Sequence, residues 1–331
     1  MNDRAAGADE LIHRTYETLK TGELASALEF LRKALEIDYE HPEVLYALKC
    51  LNWWLEKLKR LEDFHSSWER GDYVLSLWKS YYVFLDRMEE NRFQKEAALP
   101  GEVRFSELAD DSCQYAIKRF VYCRALSCFK ELLGDGESSR DPALLLQIGR
   151  CHKGAGDWEE AQRYLEMAGG LKREDSAILS ELADVKALLG DERSAKVLFR
   201  EAFFLDPQEI NLRGLESGMI LRLIDKVRKL GYAGVELAEW IPVWGCVWGT
   251  FSLKRELKPV ELSRLKQSIL ALEGETRSKS GNIQVTKPRL LNRYFWLIDY
   301  CEHNRDTPGL IDETMIKIKF IDSAVYEQYR S

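Results

Sequence analysis

The chain has 331 residues, 45% of them hydrophobic and 31% charged, with 48 basic against 55 acidic side chains and a net charge of −7. This is the composition of a soluble globular protein, and its mild acidity argues against a general nucleic-acid coat. No run of 18 apolar residues occurs, so no integral membrane segment is expected, and the polar start, Met1 to Glu10, has no apolar core of a secretory signal. The expected location is the cytoplasm, or the periplasm for a chain whose leader has been removed.

In chain order, residues 8–41 open as a helix-turn-helix unit. Leu11 and Thr15 lie on the first helix, Gly22-Glu23 make the turn, and Ala27, Leu31 and Ala34 line the second. Leu45, Leu48, Leu51, Leu55 and Leu58 then recur at three and four residues, and predict one helix from Val44 to Ser67. Gly71-Asp72 reads as the turn to its partner helix, marked by Tyr73, Leu77, Tyr81, Phe84 and Leu85. Both helices are longer than a standard repeat helix. Asn91 to Val103 reads as a connection broken at Pro100-Gly101, and Phe105 to Gly134 as a degenerate helical copy.

Residues 142–175 and 176–209 are two copies of one unit in register. The first places Leu145, Ile148, Gly149 and His152 on one helix, Gly156-Asp157 at the turn, and Ala161, Leu165 and Ala168 on the second. The next copy repeats these slots with Leu179, Leu182, Ala183 and Lys186, then Gly190-Asp191, then Ala195, Phe199 and Ala202. Small residues let the helices approach closely, and each Gly-Asp pair ends one helix at positive φ and caps the next. Lys186 and Arg173 stand where an aromatic and a proline are usual. With that exception the pattern resembles the tetratricopeptide repeat.

The resemblance implies an all-α fold, a right-handed α-solenoid over residues 1–230, closed by a tryptophan-rich and helical region at 231–331. A helix from Ile210 to Leu230 is expected to stack next. Gly231 to Phe251, with Trp240, Trp244 and Trp248 around Pro242, is expected not to be a regular helix. Either it plugs the end of the solenoid, or Trp240, Trp244, Trp248 and Phe251 form an aromatic contact surface. Three further helices are expected, at Pro259 to Glu275, Pro288 to His303 and Pro308 to Tyr329. Lys254 to Arg293 carries ten basic residues against four acidic, and reads either as solvated helix faces or as a docking surface for acidic groups.

No GxSxG, GxxxxGK or HExxH occurs, so no catalytic residue, cofactor or enzyme activity is expected. Seven cysteines without a CxxC pair suggest buried thiols and no metal site. A repeat solenoid works through its concave face, where Tyr16, Lys20, Arg150, Lys153, Ser180, Asp184, Asn211 and Arg222 are expected to line a groove for a protein or peptide. The lysine-asparagine clamp by which some family members hold a chaperone's C-terminal carboxylate is absent, because Ser180 and Asp184 replace it. The expected function is therefore a non-enzymatic interaction scaffold. The run from Trp240 to Leu257, with the repeats and helical tail, also resembles spirochaete tetratricopeptide proteins of the flagellar collar, which implies a structural subunit capable of self-association. An enzyme with an unfamiliar helical site is the remaining reading.

Overall fold

The computed structural model describes residues 2–96, 107–134, 140–251, 257–277, 282–303 and 308–330, and among them every regular element is helical. The Gly-Asp turns form as their chemistry requires. Gly156 and Gly190 adopt φ of 84° and 89°, and the N–H groups that follow them, of Asp157 and Asp191, return to His152 and Lys186 carbonyls. Asp191 then accepts from the Ser194 N–H at 3.1 Å, capping the next helix. Gly22 makes the equivalent turn with φ 95°.

The chain divides into two compact units, Met1–Tyr164 and Leu165–Ser331. In the first, α1 (Asn2–Lys20) and α2 (Leu24–Ile37) form a hairpin whose buried Thr15 hydroxyl reaches the Leu11 and Ala27 carbonyls. Pro42 opens α3 (Pro42–Leu58) in its first turn. The helix expected to continue to Ser67 stops there: a 3-10 turn spans Lys59–Asp63, and Phe64 is extended. Leu61 is buried at this corner, so tertiary packing ends the helix within an otherwise helical pattern.

The expected turn at Gly71-Asp72 lies instead inside α4 (Ser67–Glu96). A Cβ at Gly71 would meet the Phe129 ring at 2.7 Å, so this glycine provides a close approach to α5 (Glu107–Lys130) and not a reversal. Residues 91–96, read as connection, extend α4; 97–103 of that connection lie outside the described residues. Helix α5 packs against α1, α3, α4 and α6 (Pro142–Ala155). It is the spine of this unit, a wider set of neighbours than strict repeat stacking gives. Helix α7 is Trp158–Leu171.

In the second unit α8 (Ser176–Leu188) and α9 (Glu192–Leu205) pair closely. Short 3-10 turns follow at Pro207–Glu209 and Leu212–Gly214, and α10 begins only at Gly218, ending at Lys229. The start is set by buried Asp184 of α8, whose carboxylate accepts from the Glu216 and Ser217 N–H groups at 2.8 Å each. The expectation of continuous helix from Ile210 missed this long-range restraint.

The tryptophan-rich stretch is a regular helix after all, α11 (Gly234–Val247), with Pro242 inside it. A mid-helix proline costs about 3 kcal/mol. Burial of Leu237, Trp240, Ile241, Val243 and Trp244 offsets that, at roughly 1.5–3 kcal/mol for each large side chain. The helix lies among α9, α10, α13 (Ile283–His303) and α15 (Ser323–Arg330). Gly245 admits the Phe251 ring, which a Cβ would meet at 2.3 Å. Helix α12 (Pro259–Arg277) packs on α13, and the last expected helix is two, α14 (Pro308–Ile321) and α15, divided at Asp322, which caps Val325 at 3.0 Å.

Candidate functional site

Among the described residues, an open groove lies between α3 and α4. Consecutive residues on a helix point about 100° apart, so the pair Trp53-Trp54 cannot enter one core together. Trp54 is buried and Trp53 stands half-buried at the edge. Trp53 stacks on Phe84 with centroids 5.6 Å apart and touches Tyr81 at 5.2 Å. Behind it, Trp54 meets Trp78 and Tyr81. The Gln114 amide of α5 fixes this layer by donating to the Tyr81 hydroxyl at 3.1 Å and the Tyr46 hydroxyl at 2.8 Å. Burial pushes the Tyr81 hydroxyl pKa well up, which keeps it protonated.

Open space lies on both sides of the Trp53–Phe84 stack. A cavity of about 690 Å³ is bounded by Lys49, Asn52, Glu56 and Met88, and one of about 310 Å³ by Ser80, Val83 and Arg87; Trp53, Lys57 and Phe84 line both. The Lys57 ammonium stands 5.7 Å from the Trp53 ring centroid. Glu56 is bonded by Lys59 at 2.6 Å, which lowers its carboxyl pKa. Among the described lining residues, the groove thus has an aromatic floor and a rim carrying Lys49, Lys57 and Arg87 with the Glu56 carboxylate.

The expected groove residues are divided between the two units, Tyr16, Lys20, Arg150 and Lys153 in the first and Ser180, Asp184, Asn211 and Arg222 in the second. Ser180 and Asp184 are buried in the second unit, where Ser180 donates to the Ala177 carbonyl and Asp184 caps the turn before α10. They are framework and not surface. Lys153 is 3% exposed, also outside the role expected of it. Tyr16 is buried with its hydroxyl donated to Glu43 at 2.8 Å. Lys20 is half-buried, paired with Glu17 and set over Tyr115. Arg150 is half-buried on α6, whereas Asn211 is exposed in the segment before α10 and Arg222 is exposed on α10, so these last two do not share a helix.

Of the expected aromatic surface, Trp240, Trp244 and Phe251 are buried and Trp248 is half-buried. Trp240, Trp244 and Trp248 stack one turn apart at 6.4 and 5.0 Å, so Trp240 and Trp244 fill the second unit's core and Trp248 lies at its edge. Of the basic segment, Lys254, Arg255 and Lys279 lie outside the described residues, and Lys287, Arg289 and Arg293 are engaged within the fold. Arg289 makes a bidentate pair with fully buried Glu239, Arg293 donates to the Phe204 carbonyl at 2.6 Å, and Lys287 pairs with Asp322. Among the described residues no group of three or more His, Cys, Asp or Glu is placed to hold a metal. All seven cysteines are free thiols, and burial raises the pKa of Cys151 above its ordinary value.

No protein-family model matches the chain, and no curated protein matches it. No helix among the described residues is long and apolar enough to cross a membrane.

Proposed function

We propose that the chain is a non-enzymatic scaffold that holds a protein partner, and that the α3–α4 groove is the surface that receives it. The observation that carries this is the half-buried Trp53–Phe84 stack, open on both sides and backed by a hydrogen-bonded aromatic layer. Partly exposed aromatic side chains on a rigid support are where binding energy concentrates at interfaces, because little entropy is lost on docking. Glycine-turned hairpins at α1–α2 and α8–α9 support a tetratricopeptide-type solenoid as the framework. The groove proposed here lies between the two helices of one pair instead of along the first helices of successive units.

The test is affinity capture from native extract with the full chain, wild type against Trp53→Ala and Lys57→Glu. A partner lost from both variants and retained by Leu270→Ala, an exposed change on α12, supports the reading. Equal capture by all four chains contradicts it.

A structural subunit of a larger assembly, such as the flagellar collar, is the second reading. Ile316 and Phe320, one turn apart on α14 and 55% and 86% exposed, favour it. Concentration-dependent sedimentation that Phe320→Ser abolishes would support that reading, and a monomer at all concentrations would count against it.

A further inference from the structure

We infer that the α3–α4 groove is built for a segment of a partner protein that carries carboxylates on either side of an aromatic or long aliphatic side chain; this rests on the scaffold reading above. The charge of the rim argues for the carboxylates. Lys49 and Lys57 stand eight residues apart on α3, about 12 Å along the helix, and Arg87 lies across on α4. Among the described lining residues the one carboxylate is Glu56, which pairs with Lys59 at the surface. Among the described lining residues cations thus outnumber carboxylates, against the trend of a chain with net charge −7. Basic segments are repelled from such a rim, and acidic ones are steered to it.

The floor argues for the central apolar side chain. The Trp53 and Phe84 faces divide two cavities, and the larger, about 690 Å³, has the thioether of Met88 at its edge. A ring or branched aliphatic chain entering there contacts two aromatic surfaces and an adaptable sulfur. The Lys57 ammonium, 5.7 Å from the Trp53 centroid, is placed to meet a carboxylate that flanks the inserted side chain.

The experiment is fluorescence anisotropy of three short labelled peptides with the full chain. One alternates Glu with Leu and carries a central Phe, one replaces every Glu by Lys, and one keeps the Glu residues but replaces Leu and Phe by Ser. The first should bind at least about tenfold more tightly than either of the others, and should weaken as salt rises. Lys49→Glu with Lys57→Glu, both exposed changes that the fold tolerates, should transfer the preference to the Lys peptide. Equal binding of the Glu and Lys peptides overturns the acidic assignment, and equal binding of the Ser peptide overturns the apolar one. If no peptide binds while affinity capture remains Trp53-dependent, the acidic segment is wrong and the scaffold reading stands. Loss of Trp53 dependence in the capture removes both.

Discussion

In the first unit Trp53, Trp54 and Trp78 bridge α3 and α4, and in the second Trp240, Trp244 and Trp248 run along α11. The two sets are covered to different extents: only Trp54 is buried in the first, whereas Trp240 and Trp244 are buried in the second. Helix α11 has α9, α10, α13 and α15 around it, which bury Trp240 and Trp244 and leave Trp248 half-buried. Helix α3 packs on α1, α2 and α5, and α4 packs on α5, which buries Trp54 and leaves Trp53 half-buried at an edge. Aromatic content says how much contact energy a segment can supply. The placement of the neighbouring helices decides which rings are covered.

The largest effects should separate the closed region from the open one. Trp244→Ala removes a buried ring from the second unit and should cost about 3–5 kcal/mol in urea unfolding. Trp53→Ala, at a half-buried edge, should cost only roughly 1–2 kcal/mol; equal losses would erase the contrast. Arg289→Met should cost about 3–5 kcal/mol, since it leaves the Glu239 carboxylate buried without its bidentate partner. Adding Glu239→Met should restore much of that loss, because the uncompensated charge is then gone.

Smaller changes refine the same comparison. Gly245→Val drives a side chain into Phe251 and Leu223 and should lower stability by about 1–3 kcal/mol, read from the shift in the urea midpoint. Acidification should act on the first unit through His152, whose pKa is lowered chiefly by burial. Because the folded pKa lies below the unfolded one, the unfolded chain takes up the proton first. Stability is then lost as the pH falls below about 6.5, until the lowered folded value is passed. His152→Phe should flatten that part of the melting-temperature profile. Gly190→Ala should have a modest cost, about 1 kcal/mol, from a left-handed turn with open space around it.

The parts of the fold legible in the sequence are those whose causes are local. Gly156, Gly190 and Asp191 act within their own turns, so α8, α9 and the ends of α6 and α7 follow from residue type and spacing. The misread places depend on residues far along the chain. Gly71 is a contact with Phe129, the start of α10 is fixed by Asp184, and Pro242 is carried by the packing around α11. The groove was missed because periodicity places Phe84 on a helix without saying what faces it. The signal that could have found it is the tandem Trp53-Trp54, which must split between core and edge.

The most direct measurement is site-specific photo-crosslinking in native extract, from a photoreactive residue at Asn52 on the groove wall and, as control, at exposed Leu270 on α12. Adducts from Asn52 should concentrate on one partner and map by mass spectrometry to an acid-rich segment carrying an aromatic or aliphatic residue. Adducts no more abundant from Asn52 than from Leu270, with no common partner segment, would contradict it.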